Sequence, residues 1–268
     1  MSCLQLNCRI IVLAVLFALP SLAGYADDVS VPRLYVIGDS TAASYAEDRA
    51  PLTGWAQVLQ DYLDPACIVV DDRARSGRSS KSFMEEGAWA PIREALKPGD
   101  YVFIQFGHND QKQNDPARYT DPATSYRAFL TQYVSETRDA GSIPVLLTSI
   151  NRNGWNESGE FIDGMGAYPD AVRAVAREME TPLIDLHRLT RERFESIGPE
   201  RTRDLFLYLE KGESPNYPDG KADGTHLCTE GAYEISGLVA GAILETGLPL
   251  RNCVLAHERS QTPTAKEE

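Results

Sequence analysis

Short apolar runs alternate along the chain with longer segments in which apolar residues recur every three or four positions. The short runs predict five strands, at residues 33–37, 68–71, 101–106, 145–149 and 183–185. The longer segments predict helices, at residues 55–62, 89–96, 124–140, 168–178 and 229–246. Strands joined through helices of this length form right-handed βαβ units, with a parallel sheet covered on both faces. The pattern therefore predicts an α/β fold, a three-layer α/β/α sandwich around a central parallel sheet of about five strands.

The N-terminal end of the chain differs from this alternating pattern. Arg9 precedes an apolar run at residues 10–19, and small residues follow as far as Ala23 and Ala26. This order is typical of a secretory signal peptide over residues 1–26, cleaved near Ala23 or Ala26. The run is short for a membrane span, so a retained anchor is the weaker alternative. We therefore expect a secreted or periplasmic protein whose mature form does not enter a membrane.

Composition narrows the class of protein further. Hydrophobic residues make up 43% and charged residues 24%, so we expect one globular domain over residues 27–255 and a polar, disordered tail at residues 256–268. The net charge of −13 argues against a nucleic-acid partner, because a phosphate backbone needs a basic face. The four histidines are scattered singly, so we expect no metal site and no cofactor, and we interpret His187 and His257 as surface residues. We expect a monomer.

The cysteines suit an oxidising compartment. Signal cleavage would remove Cys3 and Cys8 and leave Cys67, Cys228 and Cys253. One disulfide and one free thiol is the simplest arrangement of three cysteines after export. Cys228 and Cys253 flank the last predicted helix and are a candidate pair. Burial of the cysteines as free thiols is the alternative, because the spacing does not determine the Cα separation.

Residues of the kinds that an acyl-transfer site requires follow three of the predicted strands. Ser40 follows the first strand and is either a helix-capping residue or a nucleophile. Gly77 and Asn109 follow the second and third strands and are either turn residues or donors to an oxyanion. Asp223 precedes His226 by three residues, either as a turn beside a surface histidine or as the carboxylate that orients a general base. Because the carboxyl ends of parallel strands meet at one edge, we expect these residues to converge in a serine acyl-transfer site.

Three further side chains are candidates for substrate contact. Arg75 and Arg78 flank the glycine that follows the second strand, in a chain that is otherwise acidic. They belong either to a solvated loop or to a surface that binds the carboxylates of a substrate. His108 either contacts substrate or packs beneath its loop. Asp39 is expected to order the serine loop by accepting backbone amides.

Four blocks of the sequence, "GDS", "SGRSS", "GHND" and "DGTH", resemble the signature blocks of the SGNH hydrolases, also called GDSL-type esterases. They occur in the order of that family and span most of the predicted mature chain. Within the family the sequence most resembles the rhamnogalacturonan acetylesterases, through "GDSTAASY", "SGRSSKSF" and "KPGDYVFIQFGHND". Thr41, where many lipase-like members carry leucine, favours this branch. Gly224 departs from the pattern, which has asparagine more often at that position.

The resemblance implies an SGNH, flavodoxin-like sheet and a role for each residue of the site. Ser40 would be the nucleophile, His226 the base and Asp223 the group that orients the base. The oxyanion would be bound by the backbone amides of Ser40 and Gly77 and by the side chain of Asn109.

The function implied by this resemblance is a secreted serine esterase that acts in pectin degradation. It would remove O-acetyl groups from plant cell-wall polysaccharide, with rhamnogalacturonan as the expected substrate, through an acetyl-enzyme intermediate. An acetylxylan esterase, another carbohydrate O-acetylesterase and a lipase-like esterase are alternatives on the same fold. The non-enzymatic alternative is a secreted carbohydrate-binding protein.

Overall fold

A central parallel sheet organises the structure, a computed structural model that describes residues 31–256. The predicted signal peptide and residues 257–268 of the predicted tail lie outside the described residues. The sheet has the strand order β2-β1-β3-β4-β5, and all of its neighbouring strands run parallel. Its strands are β1 (Arg33–Gly38), β2 (Val69–Asp72), β3 (Tyr101–Gln105), β4 (Ile143–Leu147) and β5 (Leu183–Ile184). The predicted five-stranded parallel sheet is confirmed.

Helices pack on both faces of the sheet. The α-helices are α1 (Ser80–Glu85), α2 (Ala90–Ala95), α3 (Ser125–Asp139), α4 (Tyr168–Glu178), α5 (Leu186–Asp204) and α6 (Thr229–Glu245). Short 3₁₀ helices cover Glu47–Arg49, Trp55–Tyr62 and Pro249–Cys253. Within residues 31–256, none of the helices has the length and apolar character that a membrane crossing requires.

The side chains of β1 show how the two faces are buried. Leu34 and Val36 join a core cluster with residues of α5, α6 and the 3₁₀ helix Trp55–Tyr62. Tyr35 and Ile37 join a second cluster, with residues of α1 to α4. Successive side chains of a strand point to opposite faces, so burial of both sets requires a covering layer on each side. The alternation predicted from sequence thus produces the three-layer sandwich.

The segment between β5 and α6 differs from the sequence prediction. Residues 198–224, for which the sequence predicts neither strand nor helix, contain the end of α5, strand β6 (Phe206–Leu209) and the start of strand β7 (Lys221–Leu227). The two strands pair antiparallel outside the main sheet. The Gly198-Pro199 pair lies inside α5 at a kink, with Gly198 at φ +80°, and it signals a helix end in sequence. Strand β7 lacks alternating apolar residues, so its sequence indicates a loop.

The disulfide also differs from the candidate pair. Cys67 is bonded to Cys253, with a Cα separation of 5.3 Å, and Cys228 is a free thiol. Cys228 and Cys253 lie beyond opposite ends of α6, whose length of about 25 Å far exceeds the reach of a disulfide. One bridge and one free thiol is therefore the arrangement of the described cysteines, but the suggested partner of Cys253 was wrong.

Candidate active site

Ser40, His226 and Asp223 form one chain of hydrogen bonds. Ser40 lies two residues beyond the carboxyl end of β1, and its Oγ is 3.0 Å from His226 Nε2. His226 Nδ1 is in turn 2.8 Å from Asp223 Oδ2. Both Asp223 and His226 lie on strand β7, a strand that the sequence does not predict. The structure thus brings together a hydroxyl, an imidazole and a carboxylate in the order that nucleophilic acyl transfer requires.

The environment of Asp223 determines how the imidazole is protonated. Burial alone would raise the pKa of Asp223, but hydrogen bonds from the His226 ring and from the backbone amides of Thr225 and His226 lower it below its ordinary value. The carboxylate therefore stays ionised and accepts the Nδ1 proton of His226. Nε2 then carries the lone pair, which faces the hydroxyl of Ser40.

Three donors lie beside the Ser40 hydroxyl. Ser40, Gly77 and Asn109 line one cavity of about 440 Å³ together with Asp223 and His226. Within the described residues, the backbone N–H groups of Ser40 and Gly77 have no acceptor. Gly77 has φ +79°, a left-handed conformation that side chains other than glycine rarely adopt. The cavity thus has the composition of an oxyanion-binding site.

Asp110 connects the elements that carry these donors. Its carboxylate accepts the backbone N–H of Ser80 at 3.1 Å, the hydroxyl of Ser80 at 2.5 Å and the hydroxyl of Thr120 at 2.7 Å. Ser80 begins α1, three residues after Gly77, and Asp110 directly follows Asn109. Burial raises the pKa of Asp110 to about 7, against the effect of these hydrogen bonds. Asp110 therefore holds the loop after β2 against the loop after β3.

A buried polar chain supports the serine loop from below. Asp39 Oδ1 accepts the backbone N–H of Thr41 at 2.9 Å and its hydroxyl at 2.8 Å, as expected for a residue that orders this loop. Gln105 Nε2 donates to the Thr41 hydroxyl at 3.2 Å, and Trp55 Nε1 donates to Gln105 Oε1 at 2.7 Å. In the sequence alone, Thr41 is only a mark of the family branch. The structure shows that its hydroxyl joins β3 to the serine loop, which leucine could not do.

His108 lines the cavity but is anchored beneath it. Its Nδ1 lies 3.3 Å from Asp39 Oδ2, and the side chain is buried. Burial lowers the pKa of His108, although the charge of Asp39 acts in the opposite direction. Its Nε2 has no hydrogen-bond partner among the described residues. The histidine is therefore neutral at ordinary pH, with one buried ring nitrogen that has no partner among the described residues.

The cations at the cavity are not those expected from sequence. Arg75 is exposed and does not line the cavity, and the Arg78 side chain pairs with Glu86 at 2.6 Å. Arg78 contributes through its backbone instead, since its carbonyl accepts from Asn109 Nδ2 at 3.0 Å. The cavity is lined by Lys112 and Arg152, which sequence analysis did not single out. The sequence offers only one indication that these two residues belong to a site. Each lies in an unusually long connection between a predicted strand and a predicted helix, at residues 107–122 and 151–166.

Gly224 is explained by close packing within the β6–β7 pair. A Cβ atom at this position would lie 2.8 Å from the hydroxyl oxygen of Tyr208. The Gly224 carbonyl also accepts the backbone N–H of Asn153 at 2.8 Å, which fastens the loop after β4 to β7. The departure from the family pattern thus accompanies a tight contact next to Asp223.

His187 is buried, although it was interpreted as a surface residue. Its Nε2 lies 3.1 Å from Asp163 Oδ2, and its carbonyl accepts from Asn151 Nδ2 at 2.6 Å. His257 lies outside the described residues. Among residues 31–256, histidine, cysteine, aspartate and glutamate side chains do not form a group of three or more that could hold a metal ion.

A serine bonded to a histidine–aspartate pair at the carboxyl edge of a parallel sheet is typical of serine-dependent acyl hydrolases. Residues 36–231 match the model of the GDSL-like Lipase/Acylhydrolase family. The chain belongs to this family and is a carboxylic ester hydrolase, as the resemblance of its sequence blocks implied.

Individual relatives cover most of the chain. Rhamnogalacturonan acetylesterase RhgT of Bacillus subtilis is 40% identical over 226 residues, which are 84% of this chain and 95% of that protein. The probable rhamnogalacturonan acetylesterase YesY of the same organism is 38% identical over 223 residues, which are 83% of this chain and 97% of that protein. The crystal structure of protein YxiM of B. subtilis is 27% identical with a TM-score of 0.71 and matches 82% of this chain, but this chain covers only 58% of that one.

Proposed function

We propose that this chain is a carbohydrate acetylesterase that removes O-acetyl groups from rhamnogalacturonan. The observation that carries the proposal is the hydrogen-bond chain from Ser40 through His226 to Asp223, beside the donors Gly77 and Asn109. The similarity to two relatives named rhamnogalacturonan acetylesterases supports the choice of substrate.

In the first half of the proposed reaction, Ser40 takes the acetyl group. His226 Nε2 accepts the hydroxyl proton while Ser40 Oγ attacks the acetyl carbonyl carbon. The negative charge that develops on the carbonyl oxygen is stabilised by the amides of Ser40 and Gly77 and by Asn109. The bond to the sugar oxygen then breaks, and His226 returns the proton to that oxygen. Acetyl-enzyme and a free sugar hydroxyl result.

The second half of the reaction repeats these steps with water. His226 removes a proton from water, whose oxygen attacks the acetyl carbon bound to Ser40. The ester bond to Oγ breaks, the proton passes to Ser40, and acetate leaves. Asp223 remains ionised throughout and stabilises the imidazolium that forms in both halves.

We further propose that the protein is exported and acts as a monomer. The signal-peptide pattern at residues 1–26 supports export, and so does the Cys67–Cys253 disulfide, because such bonds persist in oxidising compartments. N-terminal sequencing of protein recovered outside the cytoplasm would locate the cleavage site, and an uncleaved N-terminus would contradict the proposal. Light scattering would test the monomer.

The first prediction concerns acetate release by the Ser40→Ala variant. Without the hydroxyl no acetyl-enzyme can form, so release from acetylated rhamnogalacturonan should fall roughly 10⁴-fold or more. Ser44→Ala is the matched control, because Ser44 lies in the same loop but bonds to Asp72 instead of His226. Full activity of Ser40→Ala would refute the mechanism. Faster acetate release by the wild type from acetylxylan, or faster cleavage of long-chain esters, would favour an alternative substrate class.

A further inference from the structure

Two cations at the cavity have no anionic partner in the part of the chain that the structure describes. Arg152 and Lys112 line the same cavity as Ser40, yet no carboxylate lies within ion-pair distance of either among residues 31–256. Other half-buried arginines end on a carboxylate, as Arg173 does on Asp185 at 2.9 Å. Lys112 is exposed, but Arg152 is half-buried, and burying a charge without a partner is costly. An unpaired cation in a cavity is therefore suited to an anion supplied by a ligand.

Arg152 is held in place from two sides. Its guanidinium donates to the carbonyl of Gly164 at 3.0 Å, which leaves most of its N–H groups unused. The preceding residue, Asn151, is fixed by bonds to the His187 carbonyl at 2.6 Å and to the Thr190 hydroxyl at 3.1 Å. A side chain positioned in this way loses little further entropy when it binds a ligand.

The electrostatic surroundings of Arg152 and Lys112 suit an anion. Burial lowers the pKa of Arg152, while the charge of Asp39 acts in the opposite direction, and arginine remains protonated in either case. Burial and then the charge of Arg118 lower the pKa of Lys112. The charge of the half-buried Arg152 is thus only partly compensated, and an anion bound in the cavity that Arg152 and Lys112 line would stabilise it.

We propose that Arg152 and Lys112 form a subsite for the carboxylate of a uronate residue in the acetylated substrate. This inference rests on the proposed function, because it assumes an acidic sugar chain as the substrate. The guanidinium fork suits bidentate binding of a planar carboxylate, and the lysine adds a mobile point charge. The carboxylate would be held at a defined distance from Ser40, so that recognition of the acid also positions the ester.

The test compares Arg152→Gln with the wild type on two forms of one substrate. The first is an acetylated rhamnogalacturonan oligosaccharide with free carboxylates, and the second is the same oligosaccharide after methyl esterification of those carboxylates. We expect kcat/KM of Arg152→Gln to fall roughly 10- to 100-fold on the free acid, mainly through KM, because a charge-assisted contact is lost. On the neutral methyl ester and on p-nitrophenyl acetate, Arg152→Gln should match the wild type.

Three variants serve as controls. Arg152→Lys keeps the charge without the fork and should recover part of the loss. Lys112→Gln should show a smaller fall in kcat/KM on the free acid. This second variant still tests the subsite if Arg152→Gln does not fold. Arg251→Gln removes an exposed arginine that does not line the cavity and should leave both substrates unaffected. An equal loss on acidic and neutral substrates would overturn the subsite, because it would mean that Arg152 acts on the catalytic groups through Asp39.

A second measurement separates this inference from the proposed function. Galacturonate oligosaccharides without acetyl groups should inhibit p-nitrophenyl acetate hydrolysis competitively in the wild type and much more weakly in Arg152→Gln. If the wild type does not deacetylate rhamnogalacturonan but shows this inhibition, the proposed substrate is wrong and the subsite stands. If it deacetylates rhamnogalacturonan but inhibition is the same in both proteins, the substrate stands and the subsite is wrong.

Discussion

The side-chain nitrogen of Asn109 has two hydrogens that serve different purposes. One hydrogen of Nδ2 is donated to the Arg78 carbonyl at 3.0 Å, and the second remains for the cavity that Asn109 lines. The hydrogen bond to the Arg78 carbonyl fixes the orientation of the amide group and therefore the direction of its second N–H bond. An oxyanion donor held in this way needs no reorganisation when the tetrahedral intermediate forms.

The Asn109→Ala variant tests this role. Loss of one oxyanion donor should lower kcat by roughly 10²- to 10³-fold, while KM for a small acetyl ester changes little, because the contact forms only in the transition state. Steady-state kinetics with p-nitrophenyl acetate would measure both constants. Asn114→Ala, in the exposed part of the same connection, is the control. A kcat within a factor of about three of the wild type would exclude Asn109 as a donor.

The catalytic candidates could be predicted from sequence, whereas the cations of the cavity could not. Ser40, Gly77 and Asn109 each follow a strand of the parallel sheet, so the fold class alone places them at one edge. Arg152 also follows a strand, but its orientation depends on the carbonyl of Gly164, twelve residues further along an irregular loop. Periodicity carries no information on such a contact.

At the scale of elements, Asp110 is one of the buried groups through which pH affects the structure. Its carboxyl joins the start of α1 to the loop after β3, and burial raises its pKa to about 7. Because the folded pKa lies above the ordinary value near 4, the folded state binds this proton more tightly than the unfolded state. The contribution of Asp110 to stability is therefore complete below about pH 4 and is lost as the pH rises through about 7.

Asp110→Asn should reveal this contribution. The difference in unfolding free energy between the wild type and Asp110→Asn should shrink as the pH rises from about 4 to about 8, because only the wild type loses a proton there. Urea unfolding at four pH values would measure it. Asp121→Asn is the control, since Asp121 caps the turn before α3 at a more exposed position. A difference that stays level above about pH 5 would contradict this, because it would mean that the hydrogen bonds from Ser80 and Thr120 keep Asp110 ionised throughout.

Helix α1 and strand β7, two of the elements absent from the sequence prediction, have one cause in common. Helix α1 is capped by Ser79 and Ser82, which bond to each other's backbone amides, but it spans only Ser80–Glu85 and lacks a full apolar period. Strand β7 is shaped by its partner β6 and by the contact of Gly224 with Tyr208, not by its own apolar pattern. Short elements of this kind obtain their stability from tertiary neighbours, whereas α4 is long and amphipathic and begins and ends where the sequence predicts.

At the scale of the whole molecule, the Cys67–Cys253 bond ties the last described helix to the connection before β2. Two backbone hydrogen bonds accompany it, from Asp64 N to the Cys253 carbonyl at 2.8 Å and from Leu255 N to the Tyr62 carbonyl at 3.0 Å. The bond closes a loop with a sequence separation of 186. A cross-link over such a distance removes much conformational freedom from the unfolded chain.

The double variant Cys67→Ala/Cys253→Ala should therefore be less stable but still active. We expect the free energy of unfolding to fall by roughly 2–5 kcal/mol, as is usual for the loss of a native disulfide. Neither cysteine lines the cavity, so kcat at 25 °C should be retained. Denaturant unfolding and ester hydrolysis would measure the two effects, with Cys228→Ser as the control for a free thiol. A stability change below about 0.5 kcal/mol would show that the packing alone holds the C-terminal segment.

The bond between Ser40 and His226 joins residues 186 positions apart, on the serine loop after the first strand and on the last strand. Neither half of the chain contains both groups, so no partly folded fragment can hydrolyse an ester by this route. Contacts between residues so distant in sequence form late and slowly. The appearance of activity during refolding therefore marks the time at which the first and last strands have come together. A chromogenic ester can therefore time the completion of this fold without any label on the protein.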